Sequence, residues 1–135
     1  GQIVGLEVNM RPSGGPTPDM INFAHSTDCY QHYADMMVYD RLLHKGRATP
    51  CFCAFVGRWK EVPYVHSHED IVRTFKDRLK TAEELPEVLA HGMGNYIYLA
   101  KLEHREEMEE FFRYTLEVRP PEEEKPEPEE AGEQE

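Results

Sequence analysis

The sequence is poor in cysteine, in basic residues and in long apolar runs, and each shortage excludes something. Three cysteines occur in 135 residues, Cys29, Cys51 and Cys53. The count is odd, leaving at least one thiol unpaired, and a reduced, cytoplasmic setting is the simplest reading. No apolar run approaches the roughly 20 residues that span a bilayer, and no signal peptide is visible. The chain opens at Gly1 without a methionine, almost directly inside a predicted strand, so it reads as a piece of a longer frame and the missing leader carries little weight. Lys and Arg number 15 against 26 Asp and Glu, a net charge of −11. That balance argues against nucleic acid or an anionic membrane as the main partner. The length suffices for one small domain with a modest core.

The acidity is concentrated at one end. From Arg119 to Glu135 eight glutamates face only Arg119 and Lys125, and Pro120, Pro121, Pro126 and Pro128 interrupt the run. Without an aromatic or β-branched residue this stretch cannot offset its ordering entropy, and it reads as a disordered tail. An acidic interaction tail is the functional alternative.

The opposite end holds the densest chemistry. In Gly5-Leu6-Glu7-Val8-Asn9-Met10-Arg11-Pro12, apolar and polar residues alternate with period two. Val4, Leu6, Val8 and Met10 form the face expected to be buried. Glu7, Asn9 and Arg11 share the other, spaced about 6.5–7 Å apart along a strand. Carboxylate and carboxamide oxygens are hard ligands suited to magnesium. A guanidinium fork suits phosphate.

After a breaker-rich loop from Pro12 to Pro18, Asp19 is expected to begin a short helical turn reaching about Ala24. Asp28 and Gln31 have capping-box spacing, and Tyr30, Tyr33, Ala34, Met37 and Val38 recur at helical intervals. A helix is therefore predicted from about Cys29 to Leu43, closed by Lys45-Gly46. Cys51 to Trp59 reads as a strand covered on both faces, with Tyr64-Val65-His66 as a short partner. Ser67 and Asp70 open a helix with Ile71, Val72 and Phe75 inward. Arg78 to Ala82 suggests a short strand. Pro86 and Gly92 bracket a short helix. Asn95 to Leu102 is a strand, and Glu103 to Val118 a helix with Met108, Phe111, Phe112, Thr115 and Leu116 as its stripe. The fold class is α/β, in the α+β sense, with a small covered sheet.

Other clusters have plainer explanations. His66, Ser67, His68 and Glu69 lie near one another, and Cys51-x-Cys53 offers soft ligands, so a zinc site is conceivable. Yet the two histidines straddle a helix start and the cysteines lack a second pair, which favours capping and core roles. Tyr30, Tyr33, Tyr96 and Tyr98 fit stacked core aromatics better than a substrate pocket. Glu106, Glu107, Glu109 and Glu110 read as a solvated helix face, with Arg105 and Arg113 as local partners.

The run Leu6-Glu7-Val8-Asn9-Met10-Arg11-Pro12, followed by Gly14-Gly15, resembles the closing motif of the ATP-grasp superfamily. That group includes biotin carboxylase, the large subunit of carbamoyl-phosphate synthetase and the D-alanine–D-alanine ligases. The strand at Cys53-Ala54-Phe55, the turn and strand at Gly92-Met93-Gly94-Asn95-Tyr96 and the last helix resemble the C-terminal portion of its biotin-carboxylase-like members. The likeness extends to about Val118, and only the first dozen residues are specific.

The resemblance implies roles. Glu7 and Asn9 would hold Mg2+ (or Mn2+) against the phosphates of ATP, and Arg11 would contact transferring phosphate or substrate carboxylate as the catalytic cation. Ser13, Gly14 and Gly15 would border the acceptor pocket. The implied reaction activates a small carboxylate as an acyl-phosphate for attack by an amine or similar nucleophile. Three regions follow: 1–18 as the last catalytic strand and loop, 19–118 as a C-terminal α/β subdomain, and 119–135 as the tail. The adenine pocket, phosphate-binding lysine and glycine-rich flap of that family precede its closing motif, so the 135 residues alone are expected to be inactive. The competing expectation is a non-catalytic α/β binding or assembly module.

Overall fold

A computed structural model of the protein describes residues 3–5, 11, 13–43 and 50–120. In chain order these form α1 (Thr17–His25), α2 (Cys29–Tyr39), β1 (Phe52–Arg58), α3 (His68–Thr74), β2 (Leu79–Glu84), α4 (Glu87–Met93), β3 (Tyr96–Leu102) and α5 (Arg105–Leu116). The fold is mixed α+β. Its sheet has the order β1-β3-β2, with both pairings antiparallel.

Alternation in the strands decides which face meets which helix. Ala54, Val56 and Arg58 pair with Ala100, Tyr98 and Tyr96, and this face points at α3 and α5. There Ala54, Val56, Tyr98, Ala100 and Leu102 join Ile71, Phe75 and Phe111 in one buried cluster. Phe75 and Phe111 meet edge to face at 5.1 Å between centroids, a preferred aromatic geometry. Burying each such large side chain stabilises by about 1.5–3 kcal/mol. On the other face Ile97 and Leu99 are buried and Cys53 and Phe55 half-buried. Both α1 and α4 pack against the strands that carry them.

Caps fix the helix starts. Asp28 accepts from the Gln31 amide at 3.0 Å, and Ser67 and Asp70 form a reciprocal capping box. At α5 the expected partners of the glutamates change. Glu107 accepts from the amides of Glu103 and His104 and pairs with Arg78 at 3.0 Å. Arg78 comes from the turn before β2, so this carboxylate ties two elements together and is not part of a solvated face.

Several boundaries move. Pro16 is the N-cap of α1, which therefore starts two residues before Asp19. The second helix stops at Tyr39, where Asp40 adopts a left-handed conformation (φ 53°). Gly92 lies inside α4, and Gly94 ends it with φ 94°. A Cβ on Gly94 would sit 2.7 Å from the Arg58 amide nitrogen, and one on Gly57 would collide with the Met93 carbonyl oxygen. These two glycines let the end of α4 lie against the backbone at the end of β1. Residues 3–5 are not in a strand, and Val4, expected on a buried face, is 70% exposed. Leu6, Glu7, Val8, Asn9, Met10 and Lys45-Gly46 lie outside the described residues, as does 121–135.

Candidate functional site

Of the residues expected to act on ATP, Glu7 and Asn9 lie outside the described residues. Arg11, Ser13, Gly14 and Gly15 are all exposed. Gly15 takes φ 62°, a left-handed turn that delivers the chain to Pro16 and α1. Open space surrounds Gly14 and Gly15, with no atom near enough to touch an added Cβ.

A cleft of about 390 Å³ opens elsewhere, where the end of β1 meets the start of β3. Its floor is Arg58. The inward phase of β1 runs Phe52, Ala54, Val56, Arg58, so strand alternation drives this arginine into the core face, and it is only 7% exposed. Its Nη2 donates to the His66 carbonyl at 2.6 Å. Its guanidinium lies 4.0 Å from the centre of the Tyr64 ring. Nη1 is buried without a hydrogen-bond partner, and no carboxylate forms an ion pair with Arg58 among the described residues. Burying a cation costs several kcal/mol unless it is paired, and the carbonyl and the aromatic face offset part of that.

The walls come from four segments. Tyr64 bridges Val118, with Val65 donating to the Glu117 carbonyl and Arg119 donating to the Pro63 carbonyl, each at 2.8 Å. This short pairing carries Arg119 into the cleft. Tyr64-Val65-His66 thus pairs with the end of the chain and not with β1. His66 stacks on Tyr114 at 3.6 Å and sits 3.1 Å from the Glu117 carboxylate. His68 Nδ1 lies 2.9 Å from the Tyr98 hydroxyl, with the Tyr96 ring 5.0 Å away. Burial pushes the Tyr98 phenol above its ordinary value, with Arg58 opposing the shift. The phenol therefore stays protonated and can donate to that nitrogen. Lys60 bonds Glu84 on β2. Glu69 at the rim is held below the ordinary carboxylate value, first by its own backbone amide and then by Ser67. It remains ionised.

The histidines that sequence grouped as conceivable zinc ligands do meet in this cleft, but each has another partner. Among the described residues no group of three or more His, Cys, Asp or Glu could hold a metal ion. Cys51 donates instead to the Phe23 carbonyl at 3.2 Å. Burial, with Cys51 adding to it, raises the Cys53 thiol to about 11. The four tyrosines separate: Tyr98 is core, Tyr96 lines the cleft, and Tyr30 and Tyr33 are exposed on α2. Arg58 and Arg119 were not singled out from the sequence. An arginine on the inward phase of an otherwise apolar strand was the available signal for the first. Arg119 had none, because its neighbours read as tail.

Compared with known proteins, the chain matches no family model, no curated protein and no solved structure.

Proposed function

We propose that this chain is the closing segment of an ATP-grasp carboxylate–amine ligase that works in the cytoplasm. The observation that carries the reading is the sequence run Glu7-x-Asn9-x-Arg11-Pro12-Ser13-Gly14-Gly15, three polar residues spaced two apart and followed by paired glycines. Supporting it is the α+β unit that follows, whose strands and last helix fall in the order the resemblance implies. Glu7 and Asn9 supply hard oxygen donors of the kind Mg2+ or Mn2+ takes. The ion, when bound, neutralises charge on the ATP phosphates.

The substrate carboxylate attacks the γ-phosphorus, the bond to the β-phosphate bridging oxygen breaks, and ADP leaves with that electron pair. An amine then displaces phosphate from the acyl-phosphate. Charge is spread over the phosphoryl oxygens in the first step, and Arg11 stabilises it there. Ser13, Gly14 and Gly15 leave room beside the acceptor, since glycine lets backbone approach a ligand closely.

The test uses the intact gene product with Mg2+, ATP and a panel of small carboxylates, with hydroxylamine as nucleophile. Hydroxamate and ADP are expected in equal amounts, and both should fall at least a hundredfold in Glu7→Gln with an unchanged melting temperature. Equal turnover in Glu7→Gln would contradict the proposal.

A second reading, a binding module without catalysis, is favoured by one observation. Among the described residues, those that line the Arg58 cleft all lie between 58 and 119.

A further inference from the structure

We infer that the Arg58 cleft binds a small molecule bearing an oxyanion, carboxylate or phosphate, on a planar body. The inference does not rest on the ligase reading, because it is argued from described lining residues that all lie between 58 and 119. Its first support is Arg58 itself, more than nine-tenths buried, charged at any physiological pH, and with Nη1 unpartnered. The buried fork is satisfied on one side by the His66 carbonyl and is unmatched on the other. Nη1 is itself closed to solvent, so an oxyanion in the cleft answers the uncompensated buried charge without bonding Nη1 directly, and arginine is suited to such groups.

The second support is local charge. The chain carries −11 overall, yet the cleft holds two arginines, Arg58 and Arg119, against one lining carboxylate, Glu69, its third cation Lys60 being already paired with Glu84. The nearby Glu84 and Glu117 are engaged by Lys60 and His66, while Arg119, like Arg58, forms no ion pair among the described residues. A cationic concavity on an acidic molecule focuses anions toward one place.

The third support is shape. Trp59, Tyr64 and Tyr96 present ring surfaces to the cleft. Its volume falls in the range of small-molecule sites, which pair apolar walls with a few placed polar groups. Such walls hold a flat body while the guanidinium groups hold its anionic end. Glu69, ionised at the rim, disfavours a second negative charge on that side.

Trp59 is the single tryptophan, so its indole N–H reports on the cleft with one resonance. Sodium benzoate and inorganic phosphate are titrated separately into the full-length chain at constant ionic strength, with sodium chloride as reference. A saturable shift of the Trp59 indole is expected, with a millimolar midpoint. Arg119→Ala, an exposed position, should raise that midpoint at least fivefold, whereas Lys76→Ala, exposed and outside the cleft, should leave it unchanged. Arg58→Lys, where it folds, should weaken binding as well, since it keeps the charge and loses the planar fork. Saturation by benzoate alone identifies carboxylates as the ligand class, and by phosphate alone, phosphates; saturation by both supports the shared oxyanion chemistry. Absence of a saturable shift with either anion, or a midpoint that Arg119→Ala does not move, would overturn the inference.

Discussion

The two halves of this molecule treat apolar side chains in opposite ways. In the sheet unit, β1, β3, α3 and α5 bury Val56, Ile71, Phe75, Leu102 and Phe111 in one cluster. In α2, Met37 and Val38 are 68% and 69% exposed, and Tyr30, Met36 and Tyr39 are exposed with them. The buried side chain of α2 is a carboxylate, Asp35, at 1% exposure. It accepts from Gln31 Nε2 at 2.8 Å and from the Leu43 amide at 3.0 Å, holding the chain just beyond the helix against it. The contrast shows that helical spacing of apolar residues predicts a helix, but not that the apolar face is covered. The Arg58 cleft lies on the half with the shared core.

The largest effect should come from truncating the shared core. Phe111→Ala is expected to cost about 3–5 kcal/mol, whereas Val38→Ala should change stability by less than about 0.5 kcal/mol. Urea denaturation of both variants measures the difference, and comparable losses would erase the contrast between the halves. A smaller loss is expected at Asp35. Its replacement by Ala leaves the Leu43 amide and the Gln31 carboxamide without their acceptor, at a cost of about 1–3 kcal/mol. A negligible effect in the same experiment would show that α2 is held by something other than this carboxylate.

The smallest effect concerns acid. The Glu103 amide, then the His104 amide and Arg78, hold the Glu107 carboxyl below its ordinary value of 4.5. A carboxyl depressed in the folded state contributes stability above its unfolded value, and that contribution fades as pH falls through the folded value. The urea midpoints of the parent and Glu107→Gln should therefore differ at pH 6 and converge as pH falls below 4.5 through the folded value. A constant gap between them would show that the carboxylate charge is not what joins Arg78 to α5.

Much of the sheet unit was legible because its signals are local. A short, almost continuous apolar run identified β1, apolar residues on both faces marked β3, and the Asp28 and Ser67 caps placed two helix starts. The end of α4 was not legible, because Gly94 is needed there for contact with Arg58, a neighbour 36 positions earlier in the chain. The cleft was only partly legible for a similar reason. His66, His68 and Glu69 are adjacent in sequence and invited a metal reading, but Arg58 and Arg119 are brought to them by strand pairing. Val4 shows the converse limit, since alternation assigns a residue to a face but does not supply a neighbour to bury it.

The roles proposed for Glu7, Asn9 and Arg11 stand or fall on ADP release. In the intact gene product, supplied with Mg2+, ATP and the carboxylate that gives most hydroxamate, Asn9→Ala should lower ADP formation at least a hundredfold while the melting temperature stays within a degree or two of the parent. ADP formation at the parental rate in that folded variant would contradict the assignment of this run to ATP chemistry.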